Sequence, residues 1–459
     1  MLGIEPRWRA LQALASATRP HRHSPETEES HHLTVGVTRN RWKNSPDGPR
    51  FCDIRRVRRL ALSLAAVIVI ASCGGDDSAE QSTPTETPSV SAPVATEAPV
   101  IEAPTTTVDP VALATAYAEP GDFPVGVTTL QLAAGNHVEI WYPAVAGSSG
   151  TESYDVRDFV PEAIKTLLTA DVPAVFEYAA TRDADVADGQ FPIVLFSHGY
   201  SGMRLQSTFL TSHLASWGMI VVSTDHWSRD LFHVLSAPVG DRESAVGELL
   251  ASLDLIVAEG ASASSRFSGR VDDTRVIAVG HSAGGGTILG AAADDRVDGY
   301  ISLASGVGIG RDTNTTAPLE LPNKPSFFMA GALDAVTPPD TVTRPAYEQV
   351  PGPSRLWVID GVGHNGFDDF CTFGNGKGII GVAEASGLGP LLAAQPQLKT
   401  LGEDGCLPPA APVADAFPII RHAVTAQLRV WFGIDASPVG LGPEVAGAYS
   451  LAVEIAEKA

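Results

Sequence analysis

Residues Arg275–Gly290 read RVIAVGHSAGGGTILG, and this stretch decides how the chain is organised. The run Val276, Ile277, Ala278, Val279 suits a strand buried on both faces, and the small residues from Ala283 onward suit a helix packed close to a sheet. Ser282 falls on the turn between them. Gly280 and Gly284 bracket it in the pattern Gly-X-Ser-X-Gly, where small neighbours permit a sharp turn that lifts one hydroxyl above the sheet edge. Glycine and serine are common, so five residues alone mean little. A strand before and a helix after are the context that makes Ser282 a candidate nucleophile.

Working outward, VTTLQLA (127–133) and HVEIWYP (137–143) predict two antiparallel strands joined by a turn at Ala134, Gly135 and Asn136. Residues 144–190 are mixed, with a helical pattern over 160–168, and read as an excursion over the domain. FPIVLFSHGY (191–200) predicts an apolar strand. Leu205, Phe209, Leu210, His213, Leu214 and Trp217 then recur at helical spacing, and MIVVSTD (219–225) predicts the next strand, giving a βαβ unit. A helix over 243–259 leads into the central strand. Downstream come strands at 300–304, 326–331 and 355–360, a helix over 341–350 and a closing helix over 419–431. Strands alternating with helices over this length predict an α/β domain with a mostly parallel, doubly wound sheet, helices on both faces and an antiparallel start.

In open parallel sheets functional groups gather where strands end. Ser282 leaves the central strand, Asp334 follows SFFMAGAL and His364 follows RLWVIDGVG, so the chain order is Ser, Asp, His. A serine hydroxyl is a poor nucleophile until a base removes its proton. Imidazole suits that task near neutral pH, and a buried carboxylate holds its tautomer and steadies the imidazolium. Asp225 and Asp360 also lie at strand ends and compete with Asp334, which could instead cap the following helix; the Gly-X-X-Asp-X-X-X-Pro context favours Asp334. His198 reads as loop-shaping, and His226, His233 and His281 as supporting or pocket positions. There is no His-Glu-X-X-His, Cys-X-X-Cys, EF-hand or phosphate-binding loop, so neither metal nor cofactor is implied.

SHGYSGMRLQSTFLTSHLASWGMIVVSTDHWSRD (197–230), GHSAGG (280–285), GALDAVTPP (331–339) and GHNGFDDF (363–370) together resemble α/β-hydrolases of the platelet-activating-factor acetylhydrolase, dienelactone hydrolase and polyester hydrolase group, over residues 123–433. The resemblance implies a serine esterase working through an acyl-enzyme, with Ser282 as nucleophile, His364 as base and Asp334 orienting it. The backbone N–H of Ala283 supplies one oxyanion donor by position, and that of Tyr200 the other by resemblance. Two features depart from the group. His281 stands where polyester hydrolases typically carry tryptophan, and the insertion at 371–415 has no counterpart. A lipase or polyester hydrolase (cutinase-like) with an open cleft is the rival within enzymes, as against a short-chain esterase covered by the insertion. A surface-binding lipoprotein that kept the fold without the chemistry is the rival outside them.

The first hundred residues belong to another regime. Arg55, Arg56, Arg58 and Arg59 precede the apolar run 60–72, too short to span a membrane but right for a signal-peptide core, and Cys73 follows at once. Ile70-Ala71-Ser72-Cys73 resembles a bacterial lipoprotein processing site. The expected organisation is 1–54 outside the mature protein, with Val57 a possible initiator, a lipoprotein signal over 55–73, a Thr/Pro/Glu-rich tether over 74–110, the hydrolase domain over 111–435 and a C-terminal extension over 436–459. This predicts an exported protein, anchored by lipid at Cys73 to the outer face of the cell membrane or a periplasm-like space, or released from it. Residues 1–60 hold 12 Lys and Arg against 6 Asp and Glu, leaving 19 against 47 and a formal charge of −28 for the remainder. So acidic a body disfavours nucleic acid and leaves an ester, small-molecule, lipid or polyester, as the expected partner. Of four cysteines, Cys52 precedes the signal and Cys73 takes the lipid. In an oxidising compartment the remaining two, Cys371 and Cys406, are most simply a disulfide closing a Gly- and Ala-rich loop, two free thiols being the alternative.

Overall fold

Successive strand residues point to opposite sides, and here both sides are apolar. Ile193 and Leu195 of one strand, with Val276 and Ala278 of its neighbour, join one core, while Val194 and Phe196, with Ile277 and Val279, join another. Such strands need cover on both faces. In the computed structural model, which describes residues 109–169, 171–306 and 321–459, they receive it. The expected signal segment, Cys73 and the tether up to Val108 lie outside the described residues.

The chain begins with α1 (Pro110–Ala114), β1 (Val125–Gln131), β2 (His137–Pro143), β3 (Thr151–Asp155), α2 (Glu162–Lys165), β4 (Val175–Ala179) and β5 (Thr181–Arg182). Next come β6 (Phe191–Ser197), α3 (Thr208–Ser216), β7 (Ile220–Thr224), α4 (Leu231–Leu235), α5 (Arg242–Ala261), β8 (Val271–His281), α6 (Ala283–Ala291) and β9 (Gly299–Leu303). It closes with β10 (Ser326–Gly331), α7 (Thr343–Gln349), β11 (Ser354–Ile359), α8 (Gly378–Ala383), α9 (Gly389–Ala393), α10 (Pro396–Glu403), α11 (Val413–Trp431) and β12 (Val453–Lys458).

Among the described residues the main sheet has the order β12-β11-β10-β9-β8-β6-β7-β2-β1-β5. Strands β6 to β11 run parallel, while β1 pairs antiparallel with β2, β2 with β7, and β12 with β11. This is the doubly wound sheet with an antiparallel start that the strand–helix alternation predicts. Leu249 and Leu253 of α5 and Ile288 of α6 cover one face; Phe209 and Leu210 of α3 and Ile420 and Val424 of α11 cover the other. Burying each such side chain contributes roughly 1.5–3 kcal/mol.

Three segments differ from expectation. The helical pattern at 160–168 yields only Glu162–Lys165, because the chain around it is held by a separate two-stranded sheet, β3 with β4. The Gly- and Ala-rich insertion is built of helices rather than loop, with Pro390 and Pro396 near the starts of α9 and α10, where a proline costs no hydrogen bond. The C-terminal residues 453–458 form the last strand of the sheet, in register from Ser354 opposite Lys458 to Ile359 opposite Val453.

Cys371 and Cys406 are joined, closing a loop of 35 residues around the insertion. The chain-entropy cost of leaving so long a loop open predicts that Cys406→Ser lowers unfolding free energy by about 3–4 kcal/mol, measured by guanidinium titration against the oxidised wild type.

Candidate active site

The elbow after β8 is shaped by crowding. A Cβ on Gly284 would stand 1.9 Å from the Ser197 carbonyl oxygen at the end of β6, and one on Gly280 would stand 2.5 Å from the Gly284 backbone. Only glycine lets α6 start this close to two strands. Ser282 is consequently held at φ 54°, a left-handed conformation that costs a non-glycine residue about 1–3 kcal/mol. Its amide donates to Leu303 O at 2.9 Å and its carbonyl accepts from the Ser305 hydroxyl at 2.7 Å, which hold it there.

Two further strand ends, those of β10 and β11, deliver the remaining groups to this turn. The Ser282 hydroxyl donates to His364 Nε2 at 3.0 Å, and His364 Nδ1–H donates to Asp334 Oδ2 at 2.9 Å. Val336 and Thr337 amides donate to Asp334 Oδ1 at 2.9 and 2.7 Å, and the Thr337 hydroxyl lies 2.7 Å from Oδ2. The rival carboxylates are engaged elsewhere: Asp225 by Arg204 at 2.7 and 2.8 Å, Asp360 by the Gly361 amide at 2.9 Å. Burial alone would lower the pKa of His364, but the charge and hydrogen bond of Asp334, helped by Asp368 and Asp404, prevail and raise it. Burial likewise works to raise Asp334, and is outweighed by His364 and the Thr337 donors, so its pKa falls.

His281 is buried beside this row and neutral, because desolvation and the neighbouring His364 take its pKa down to about 3. Its Nε2–H donates to His364 O at 3.1 Å, and its Nδ1 accepts from Gln206 at 2.7 Å. The Gln206 amide group also donates to Asp368 at 2.8 Å, and its carbonyl accepts the Gly199 amide at 2.8 Å. One glutamine thus ties the turn at Gly199–Tyr200, the elbow and the His364 loop together. With the Gly199 amide occupied, the neighbouring amide of Tyr200 and that of Ala283, the first of α6, have no intrachain acceptor among the described residues.

The structure also places residues that the sequence does not announce. Asp404, in the insertion, accepts the His364 amide at 2.7 Å and the Ala335 amide at 3.1 Å, clamping the loops after β10 and β11 to each other. The disulfide brings it there, since Cys406 lies two residues on and Cys371 seven residues after His364. Arg229 is buried under the Ser197–Ser201 turn and donates to His198 O at 2.9 Å, Ser197 Oγ at 2.8 Å and Thr287 Oγ1 at 2.9 Å.

His226 joins this second network, with Nε2 2.9 Å from Ser197 Oγ and Nδ1 3.0 Å from Glu248. Ser197, His226 and Glu248 repeat a serine–imidazole–carboxylate row, but none of them lines the cavity, and the Ser197 oxygen already accepts from a guanidinium. His198 accepts the His226 amide at 3.0 Å, and His233 packs on Asp230 at 2.8 Å, outside the cavity lining. Ser282, His281, His364 and Tyr200 all line a cavity of about 890 Å³, within the usual range for ligand pockets. Among the described residues no group of three His, Cys, Asp or Glu side chains is placed to hold a metal ion.

A family model described as PETase, PET hydrolase-like, matches residues 180–381, which run from β5 to α8 and carry the elbow, Asp334 and His364. The chain has the α/β-hydrolase fold. Its sequence is similar to cutinase 2 of Thermobifida cellulosilytica, 28% identical over 180 residues that make up 37% of this chain and 59% of that one. Cutinase cut1 of Thermobifida fusca is likewise 28% identical over 180 residues, or 49% of its length. The chain therefore spans about half the length of the curated relatives it matches. A solved ferulic acid esterase from Streptomyces cinnamoneus shares the fold, with TM-score 0.50 and 21% identity over 70% of this chain and 94% of that one.

In histidine-labelled protein followed by NMR, His364 should lose its proton above the ordinary imidazole range of about 6.5, and His281 should stay neutral down to about pH 4. Asp334→Asn should move the His364 midpoint downward, because it removes the charge that opposes desolvation. A His364 midpoint unchanged by that substitution would contradict the assigned contact.

Proposed function

We propose that the chain is a carboxylic ester hydrolase with Ser282 as nucleophile, His364 as general base and acid, and Asp334 as the group that orients His364. The observation that carries this reading is the unbroken row Asp334–His364–Ser282, with contacts of 2.9 and 3.0 Å, opening onto a largely apolar cavity. His364 Nε2 takes the Ser282 proton as Oγ bonds to the ester carbonyl carbon. The amides of Tyr200 and Ala283 donate to the tetrahedral oxyanion, each worth about 3–4 kcal/mol to the transition state. The C–O bond to the leaving alcohol then breaks, and His364 hands that alcohol the proton. Water, deprotonated by the same imidazole, attacks the acyl carbon and frees Ser282. Because His364 must start neutral, kcat/KM rises with pH through its raised pKa and is lost below it.

The polyester hydrolase reading is favoured by the family match and by the two cutinases, and it uses the same chemistry on a polymer. Export and lipid anchoring at Cys73 complete the proposal. They are supported by the arginine-flanked apolar run and the residues around Cys73. Among the described residues no helix is long and apolar enough to cross a membrane.

Ser282→Ala should lower p-nitrophenyl acetate hydrolysis by a factor of about 10⁴ or more and abolish labelling by a fluorophosphonate probe; hydrolysis equal to wild type would refute the assignment. Expressed in a bacterium that processes lipoproteins, the full chain should incorporate radiolabelled palmitate, and Cys73→Ser should not.

A further inference from the structure

We infer that the ester taken by this site carries a long, unbranched hydrocarbon chain, held beneath a two-part cap formed by residues 156–168 and 379–402. The inference rests on the ester-hydrolase reading and adds the substrate class. The cavity that contains Ser282 and His364 is walled mostly by apolar side chains. The first part of the cap contributes Val160, Ile164 and Leu168, and the second contributes Leu388, Leu391 and Leu392. Leu231, Val234 and Leu235 of α4 close a third side.

The two parts of the cap meet. The Thr169 amide, next to Leu168 of the first part, donates at 3.0 Å to Ser386 Oγ, which lies between Ala383 and Leu388 of the second. Gly387, at φ 81°, bends the chain between α8 and α9 so that both present leucine and isoleucine to one space. Tyr154 of β3 donates to Asp369 at 2.8 Å, and Gly374 N donates to Pro173 O at 2.7 Å, so the excursion is bound to the insertion at its base as well. These half-buried apolar side chains are a cost to the empty protein that a hydrocarbon guest would remove.

Charge points the same way. Besides His281, His364 and Tyr200, the ionisable residues in the lining are Arg157 and Glu162. The Arg157 guanidinium is already held by Asp155 at 2.8 and 2.9 Å and by Thr169 O at 2.6 Å. A phosphate or carboxylate drawn into the cavity would lose its water and gain no counter-ion. An alkyl chain loses nothing. At about 30 Å³ for a water-sized group, a volume of about 890 Å³ holds roughly thirty such groups, ample for a dozen methylenes and a leaving group. Leu167 and Tyr200, both lining residues, and Phe232, next to Leu231, are exposed at 55%, 39% and 45%, so apolar surface continues outside the cavity.

Each methylene moved from water into such a site favours binding by about 0.8 kcal/mol, or about fourfold. The test uses the full chain and two series held below their micellar concentrations: p-nitrophenyl acetate, butanoate, octanoate and dodecanoate, and the acetates of ethanol, butanol and octanol. The expected result is that kcat/KM rises at least tenfold from the shortest to the eight-carbon member of one series. Leu392→Asp, which puts a charge into the cap, should then cut the long-to-short ratio at least fivefold. If both series are flat or falling while acetate hydrolysis still depends on Ser282, the chain-binding inference is overturned and the ester-hydrolase reading stands. If no ester is cleaved and no fluorophosphonate bound, both fall.

Discussion

The approach of α6 to the ends of β6 and β8 is the constraint on which everything else depends. With the Gly284 Cα so close to the Ser197 carbonyl, the backbone has one way to leave β8, and that way puts Ser282 in a left-handed conformation with its hydroxyl free of the sheet. The strain is held by the flanking sheet: Leu303 and Ser305, at and just beyond the end of β9, take both backbone groups of Ser282. A fixed hydroxyl is of use only if its partners are fixed too. Asp334 and His364 come from neighbouring parallel strands, whose common direction brings their C-terminal ends to one edge.

Low dielectric then sorts the imidazoles. His364 and His281 have adjacent rings in the same buried environment, yet their pKa values move apart. The difference lies in what faces Nδ1: a carboxylate held ionised by backbone donors at His364, and the neutral amide of Gln206 at His281. The first ring is prepared to gain a proton, and the second is a rigid strut. The Ser197–His226–Glu248 row makes the complementary point, since the same three functional groups with similar spacing, sealed from the cavity and crossed by Arg229, serve to hold a turn. Access and charge, more than residue type, separate chemistry from scaffolding.

The insertion is where this chain elaborates its fold. Its disulfide closes the loop that carries Asp404, and Asp404 grips the backbone of both loops that carry the carboxylate and the imidazole. The same insertion supplies the leucines of α9 and α10 to the cavity wall. Stability of the His364 loop and the shape of the binding space are therefore consequences of one segment.

Much of this was legible in the chain itself. Strand and helix alternation, the Gly-X-Ser-X-Gly turn and the Ser, Asp, His order at strand ends depend on local pattern and on the rule that parallel strands share an edge. The two glycines beside Ser282 were readable because close backbone approach admits no other residue. The insertion was not, for its Gly and Ala content looks like loop, and its helices are stabilised by contacts with residues more than 200 positions earlier, such as Thr169 with Ser386. Gln206 and Asp404 were equally hidden, because a polar residue in the turn before a helix or just before a cysteine has no local signature of the loops it joins. Local periodicity and chemistry thus determined the sheet, the Ser282 turn and the Asp334 and His364 strand ends beside it. The neutral state of His281, the clamp by Asp404 and the apolar cap were decided only by the tertiary structure, since each depends on desolvation and on distances between segments remote in sequence.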